Sequence, residues 1–166
     1  TREGQSLRLI QEYFMVSAGL QTIVTSYAKM GLPMAQIHEK VAVHINDTHP
    51  AMAVPELMRI LIDDYNLEWE VAWATTTKVM SYTNHTVLSE ALEKWDAGLF
   101  KEIVPRIYQI VGEIDRQFVK TWAGKVDASV IDHTRVIQNG QIHMANLSII
   151  GGHSVNGVAK LHTELL

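Results

Sequence analysis

The chain has 166 residues, with 14 Lys or Arg, 18 Asp or Glu and no Cys, so its formal charge at pH 7 is −4. Without cysteine it can form neither a disulfide framework nor a Cys-based zinc site. Its basic residues are dispersed, which argues against nucleic-acid binding, and no apolar run reaches the roughly 20 residues that span a bilayer. We therefore expect a globular, non-membrane protein, with the cytoplasm as the default compartment.

Both ends of the chain suggest a piece of a longer protein. The sequence begins with Thr1 instead of Met, and it stops at Leu166 within a helical pattern that starts near Lys160. We expect further sequence on either side in the complete protein.

The first half of the chain predicts a helix, a strand and two more helices. Apolar residues recur at three- and four-residue steps from Ser6 to Tyr27, as in an amphipathic helix, and Gly31 ends the pattern. The next segment is rich in β-branched residues, which is typical of a mostly buried strand. In order, the remaining predicted elements are a strand at 40–46, a helix opened by Pro55 over 55–63, and a helix over 68–80.

The second half predicts helices and one hairpin. Asn139-Gly140 is a strong hairpin signal. The four tryptophans, at 69, 73, 95 and 122, stand at helical spacing and are interpreted as core residues. The predicted elements are a loop between two helices at 82–86, helices at 89–93 (N-capped by Ser89), 105–122 and 127–131, hairpin strands at 134–138 and 141–144, a helix at 145–150, a strand or turn at 154–158, and a helix from Lys160. This alternation indicates a helix-rich α/β fold.

The first candidate site follows the predicted strand at 40–46. Asn46, Asp47 and His49 lie just past its carboxyl end, where open α/β sheets bind ligands. A second interpretation is a plain turn in which Asp47 caps the next segment. A third is a metal site of His44, Asp47, His49 and His85, although their spacing matches no zinc signature.

The second candidate site is the polar segment Thr83-Asn84-His85-Thr86. An imidazole and an amide each offer donors and acceptors to sugar hydroxyls, but a loop that satisfies its own backbone would have the same composition. Glu90 and Glu93 follow at a three-residue spacing, which a solvated helical face also explains. Gly151-Gly152 matches no phosphate-binding pattern and predicts close helix packing.

Taken together, four segments in order resemble the α-glucan phosphorylase family, which acts on glycogen, starch or maltodextrin. The most specific are Asn46-Asp47-Thr48-His49-Pro50 and Tyr82-Thr83-Asn84-His85-Thr86. The segments that carry the resemblance are 7–14, 44–50 with 55–59, 82–93, and 146–164 with its His153-Ser154-Val155-Asn156-Gly157 stretch.

The resemblance implies that residues 1–166 are part of the N-terminal domain of a two-domain enzyme of the GT-B (Rossmann-like) type. Such an enzyme holds pyridoxal 5'-phosphate on a lysine of its C-terminal domain, which this chain lacks. The family's glycine-rich loop and phosphate-binding residues also lie outside it. We therefore expect the isolated chain to bind no cofactor and to be inactive.

The resemblance also implies roles for particular residues. His85 is the expected catalytic residue, with its ring on the 6-hydroxyl of the reacting glucose and its backbone carbonyl facing the anomeric carbon. Asp47, His49, Asn84 and Glu93 are the other expected substrate-binding residues. No metal ligand is implied.

The implied partners are an α-glucan and inorganic phosphate, and the complete enzyme is expected to be a homodimer. A piece cut from a larger domain exposes apolar surface, so the isolated chain is expected to self-associate. Two alternatives stay open at this point: a non-catalytic α-glucan-binding module, and a metal-dependent hydrolase that uses His44, Asp47, His49 and His85.

Overall fold

A computed structural model of the chain describes residues 1–86 and 88–157. Helices surround two small sheets in this part of the chain, so the α/β class is confirmed. The helices are α1 (Arg2–Ala28), α2 (Ala53–Arg59), α3 (Trp69–Val79), α4 (Ala97–Ile103), α5 (Pro105–Trp122), α6 (Ala128–Thr134) and α7 (Met144–Ile150). The strands are β1 (Val43–Asn46), β2 (Met80–Asn84), β3 (Lys94–Asp96), β4 (Ile137–Gln138), β5 (Gln141–His143) and β6 (Val155–Gly157).

Shorter turns complete the described part. Two 3₁₀ turns cover Met34–Glu39 and Ser89–Ala91, and a π-helical turn, Ile60–Asp64, extends α2. No helix among the described residues has the length and apolarity needed to cross a bilayer. The helix predicted from Lys160 lies outside the described residues.

The first sheet is parallel, with strand order β1-β2-β6. Asn46 of β1 stands opposite Thr83, and Asn84 of β2 stands opposite Gly157. Ile45 of β1 and Tyr82 of the central strand β2 are fully buried. Because parallel strands end at one edge, the residues that follow β1 and β2 meet there.

The prediction of a loop at 82–86 is wrong for its first three residues, which belong to the central strand β2. Their polarity was misleading, because the side chains of Thr83 and Asn84 are buried with hydrogen-bond partners. Helix α3 also passes directly into the strand at Met80, with no turn residue between them to mark the change.

A chain of side-chain hydrogen bonds crosses this sheet. His44 Nε2 lies 2.6 Å from Thr83 Oγ1, and the Thr83 hydroxyl donates to Asn156 Oδ1 at 2.6 Å. The three residues stand on β1, β2 and β6, so these two hydrogen bonds link all three strands.

The second sheet is antiparallel, with strand order β3-β5-β4. The hairpin is confirmed, and Asn139 (φ 49°) and Gly140 (φ 71°) adopt the left-handed backbone that its tight turn requires. Its strands are shorter than predicted, because Thr134 belongs to α6 and Met144 to α7. The helix predicted at 89–93 is wrong beyond its first turn: the chain extends into β3, so Glu90 and Glu93 do not share a helical face. Helix α4 was missed, although Asp96 Oδ1 caps it by accepting from Leu99 N at 2.8 Å.

A buried carboxylate joins α1 to α2. Glu56 of α2 is 0% exposed and accepts from the Tyr13 hydroxyl at 2.6 Å, the Ser17 hydroxyl at 3.1 Å and Arg59 Nε at 2.9 Å. Burial and this carboxylate raise the pKa of Tyr13 to about 12. The charge is therefore fully partnered, as a buried ion must be.

The packing of Gly151 confirms the predicted close helix contact. A Cβ there would lie 2.4 Å from Val54 Cγ1 on α2, so the end of α7 approaches α2 more closely than a side chain permits. The tryptophan prediction holds for Trp95, which is buried, although on β3 and not on a helix. It is wrong for Trp122, which is 43% exposed at the end of α5.

Candidate functional site

A cleft of about 300 Å³ opens beyond the carboxyl ends of β1 and β2. It brings together Asp47, His49 and Glu93, three of the residues predicted to bind substrate. The described residues that line it are Gln5, Arg8, Asp47, Thr48, His49, Thr86, Ala91, Glu93, Lys94 and Trp95.

Asp47 forms the turn that directs the chain into this cleft. Its backbone is left-handed (φ 62°), a conformation that Asp adopts more readily than most residues. Its N–H donates to the Thr83 carbonyl at 2.8 Å, and its carboxylate accepts from Thr48 N at 2.6 Å. Asp47 is thus both a turn residue and part of the cleft wall.

The charge of Asp47 also affects the buried Tyr82. Burial, followed by this negative charge, raises the pKa of Tyr82 to about 12. The Tyr82 hydroxyl is buried without a hydrogen-bond partner among the described residues. The tyrosine therefore stays neutral beside the cleft.

The exposed ring of His85 is oriented by Asn46. His85 Nε2 lies 2.6 Å from Asn46 Oδ1, and an amide oxygen only accepts hydrogen bonds, so Nε2 carries the proton. Nδ1 is then the acceptor nitrogen of the neutral ring. His85 lies outside the described lining of the cleft and next to Thr86, which is part of it.

Asn84 has a different environment from the other predicted residues. It is only 2% exposed, and its Oδ1 accepts from Thr86 N at 2.8 Å. Its side chain therefore holds the turn on which His85 stands.

Glu93 is fixed from two sides. Arg8 Nη2 donates to Glu93 Oε2 at 3.0 Å, and Trp95 Nε1 donates to Glu93 Oε1 at 3.3 Å. Arg8 also donates through Nε to Glu12 Oε1 at 3.2 Å. Sequence reasoning missed Arg8, Glu12 and Trp95. The four-residue spacing of Arg8 and Glu12 indicates a helical ion pair, but nothing in the sequence shows that both face Glu93.

The structure does not assemble the proposed metal ligands. His44 is bonded to Thr83 and His85 to Asn46, and no group of three His, Asp or Glu side chains within 1–86 and 88–157 is arranged to hold a metal ion. The metal-dependent hydrolase hypothesis therefore has no ligand set in this part of the chain.

Comparisons with known proteins agree along the whole length of the chain. A family model described as "Carbohydrate phosphorylase" matches residues 1–166. The chain is 51% identical over 166 residues to glycogen phosphorylase of Bacillus subtilis (strain 168), covering 99% of this chain and 21% of that protein. It is 45% identical over 175 residues to glycogen phosphorylase 2 of Dictyostelium discoideum, covering 100% of this chain and 17% of that protein. The muscle form of glycogen phosphorylase from Ovis aries is 45% identical over 177 residues, covering 99% of this chain and 21% of that protein. The chain spans about a fifth of the length of these relatives.

Proposed function

This chain belongs to the carbohydrate phosphorylase family, and on that basis we propose that the complete protein is an α-1,4-glucan phosphorylase. In that reaction, inorganic phosphate cleaves the terminal α-1,4 bond of a glucan and releases glucose 1-phosphate. The observation that carries the proposal is the cleft at the carboxyl edge of the parallel sheet, where Asp47, His49 and Glu93 converge. The chain would supply one wall of the active site.

The proposal includes a domain assignment. Residues 1–166 would belong to the N-terminal domain of a GT-B enzyme, and the C-terminal cofactor-binding domain would be a separate part of the complete protein. We further propose a cytoplasmic homodimer that takes an α-glucan and inorganic phosphate as substrates.

His85 is the proposed catalytic residue. With Nε2 bound to Asn46, its Nδ1 is oriented to accept from the 6-hydroxyl of the reacting glucose. Its backbone carbonyl would face the anomeric carbon, where positive charge develops in the transition state. A dipole fixed in advance stabilises that charge more than it stabilises the ground state.

The remaining predicted contacts lie around the cleft. The carboxylates of Asp47 and Glu93 can accept hydrogen bonds from the sugar next to the reacting glucose, or from its waters. His49 adds an imidazole, which offers both a donor and an acceptor. Direct contact of Asn84 with the sugar stays a prediction. Its buried amide supports an indirect role, through the turn that carries His85.

The described residues of the cleft do not fit pyridoxal 5'-phosphate. The cofactor needs a lysine amine, and it needs cations for its phosphate. Among the described residues that line the cleft, the lysine is Lys94, and its side chain is exposed. Among the same residues the arginine is Arg8, and its guanidinium is already paired with Glu12 and Glu93. We propose that the complete enzyme holds the cofactor on its C-terminal domain, while this chain acts on the sugar.

The test is phosphate-dependent release of glucose 1-phosphate from maltodextrin by the complete protein, with and without added pyridoxal 5'-phosphate. We expect release that depends on both phosphate and the cofactor, and none from the isolated chain. Glucan binding without release under either condition would contradict the phosphorylase proposal and support a glucan-binding module.

We also propose that the isolated chain self-associates through an apolar face on α3, α5, α6 and α7. Two adjoining grooves on this face share Phe118, Trp122, Ile149 and Ile150. Exposed apolar patches of this kind mark interaction surfaces. Light scattering after size exclusion is expected to detect dimers or larger species at high concentration.

A matched pair of substitutions locates this contact. Trp122→Ser should weaken self-association, whereas Met30→Ser, at an exposed apolar position outside the two grooves, should leave it unchanged. A monomeric profile for the unmodified chain would contradict the proposal.

A further inference from the structure

Glu12 of α1 lies beside Glu93 but is not among the described residues that line the cleft. Both carboxylates are largely buried, with side chains 11% exposed. A single guanidinium serves both acids, because Arg8 contacts Glu12 through Nε at 3.2 Å and Glu93 through Nη2 at 3.0 Å. Two acids therefore share one cation.

One oxygen in this arrangement is left without a donor. Glu12 Oε2 is buried and has no hydrogen-bond partner in the described structure. Two ionised carboxylates side by side would repel each other and leave that acceptor unsatisfied. A proton on Glu12 removes both costs, because it neutralises one charge and turns an acceptor into a donor.

The charged groups on the neighbouring elements are engaged elsewhere. On α2, Glu56 is bonded to Arg59, and on α4, Glu102 is paired with Arg2. Asp47, His49 and Lys94 face the cleft. Arg8 is the described cation paired with Glu12. Burial, followed by the charge of Glu93, raises the pKa of Glu12 to about 7.

We propose that Glu12 is a positioning residue: as a neutral acid it donates a hydrogen bond to Glu93 and, with Arg8 and Trp95, fixes that carboxylate in the cleft wall. The catalytic part of this inference rests on the proposed function, because Glu93 affects the reaction only if the cleft receives glucan. When Glu12 loses its proton, the two carboxylates repel each other and Glu93 loses its fixed position.

The pH dependence has a definite sign. The pKa of Glu12 rises from 4.5 to about 7 on folding, so the folded chain binds more protons between these values. Its free energy of unfolding therefore falls as pH rises through this range. Activity should decline as Glu12 ionises above about pH 7.

The first test needs no activity and uses the 166-residue chain with ¹⁵N-labelled tryptophan. The indole N–H of Trp95 donates to Glu93, so its chemical shift should report ionisation of the pair. We expect the indole shift to titrate with a midpoint near pH 7. The signal is assigned to Trp95 because it is absent from the spectrum of Trp95→Phe.

Glu12→Gln should abolish this titration, because the amide donates to Glu93 at every pH. Glu3→Gln, at an exposed acid in the first turn of the same helix, should leave it intact. An indole shift that does not change from about pH 5 to about pH 9, or a titration that persists in Glu12→Gln, would overturn the proposal.

The second test measures kinetics of the complete enzyme. Glu12→Ala is expected to raise KM for glucan about tenfold, the effect of losing one hydrogen bond to a charged group. Glu12→Gln, which keeps a donor at this position, should bring KM most of the way back to the wild-type value. The decline in kcat/KM above about pH 7 should be present in the wild type and absent in Glu12→Gln.

The two proposals fail in different ways. A wild-type enzyme that releases no glucose 1-phosphate contradicts the proposed function, while the indole titration still decides whether Glu12 holds Glu93. An active wild type whose kinetics and pH profile are unaffected by Glu12→Ala contradicts the positioning role.

Discussion

Replacing His85 with alanine in the complete enzyme is expected to lower kcat/KM for phosphorolysis about 100-fold or more, comparable to losing one preorganised transition-state contact. The physical reason is the fixed ring: Asn46 holds Nε2 at 2.6 Å, so Nδ1 is already oriented for the proposed contact with the 6-hydroxyl. The measurement is the initial rate of glucose 1-phosphate release over a range of maltodextrin concentrations at saturating phosphate.

A second substitution separates orientation from contact. Asn46→Ala removes the hydrogen-bond partner of Nε2, so the His85 ring is still present but is no longer held in one orientation. It should therefore reduce kcat/KM by less than His85→Ala does. The double variant should be no worse than His85→Ala alone, because both changes act on one contact. His133→Ala is the control: His133 is exposed on α6, bonded to Ser129 of its own helix, and its loss should change nothing. Unchanged kinetics in His85→Ala would refute the assignment.

The largest effect on stability is expected at Glu56. Glu56→Ala should lower the free energy of unfolding by about 3 kcal/mol, the low end of the range for breaking a buried ion pair, because Arg59 keeps some access to water. The substitution leaves Arg59, the Tyr13 hydroxyl and the Ser17 hydroxyl without their acceptor between α1 and α2. Urea unfolding of the 166-residue chain, followed by circular dichroism, measures the loss.

Glu113→Ala is the matched control. Glu113 is also a helical glutamate paired with an arginine three residues away, but its partner Arg116 is exposed. An exposed pair is screened by water and contributes far less to the free energy of unfolding than a buried pair does. Equal losses for Glu56→Ala and Glu113→Ala would show that the buried network contributes no more than a surface pair.

The elements that sequence alone predicts well are those with a strong local pattern. Helix α5 has Pro105 at its first position, a regular apolar stripe and Gly124 (φ 76°) just beyond its end, so its predicted and observed bounds agree. The hairpin is likewise fixed by its two turn residues, Asn139 and Gly140. In both cases local sequence and tertiary packing favour the same structure.

Strand β2 shows why the rest could not be predicted. Thr83 and Asn84 look like loop residues until their partners are known, and Asn156 lies 73 residues away from Thr83. A short polar segment becomes a central strand only when distant residues satisfy its side chains, and a local pattern carries no information about them.

The candidate site divides in the same way. Asp47 and His49 were predictable from their place after a strand, because the carboxyl edge of a parallel sheet is a general location for ligands. Arg8 and Glu12 were not, since their contact with Glu93 depends on α1 packing beside a segment 85 residues from Arg8.

The bonds that join His44, Thr83 and Asn156 also have a direction. A hydroxyl has one proton, and Thr83 gives its proton to Asn156, so Thr83 can only accept from His44, whose Nε2 must be the protonated nitrogen. Donation therefore runs one way, from β1 through β2 to β6. Thr83→Val would remove an acceptor and a donor together, leaving the edge strands without a side-chain link through the middle one.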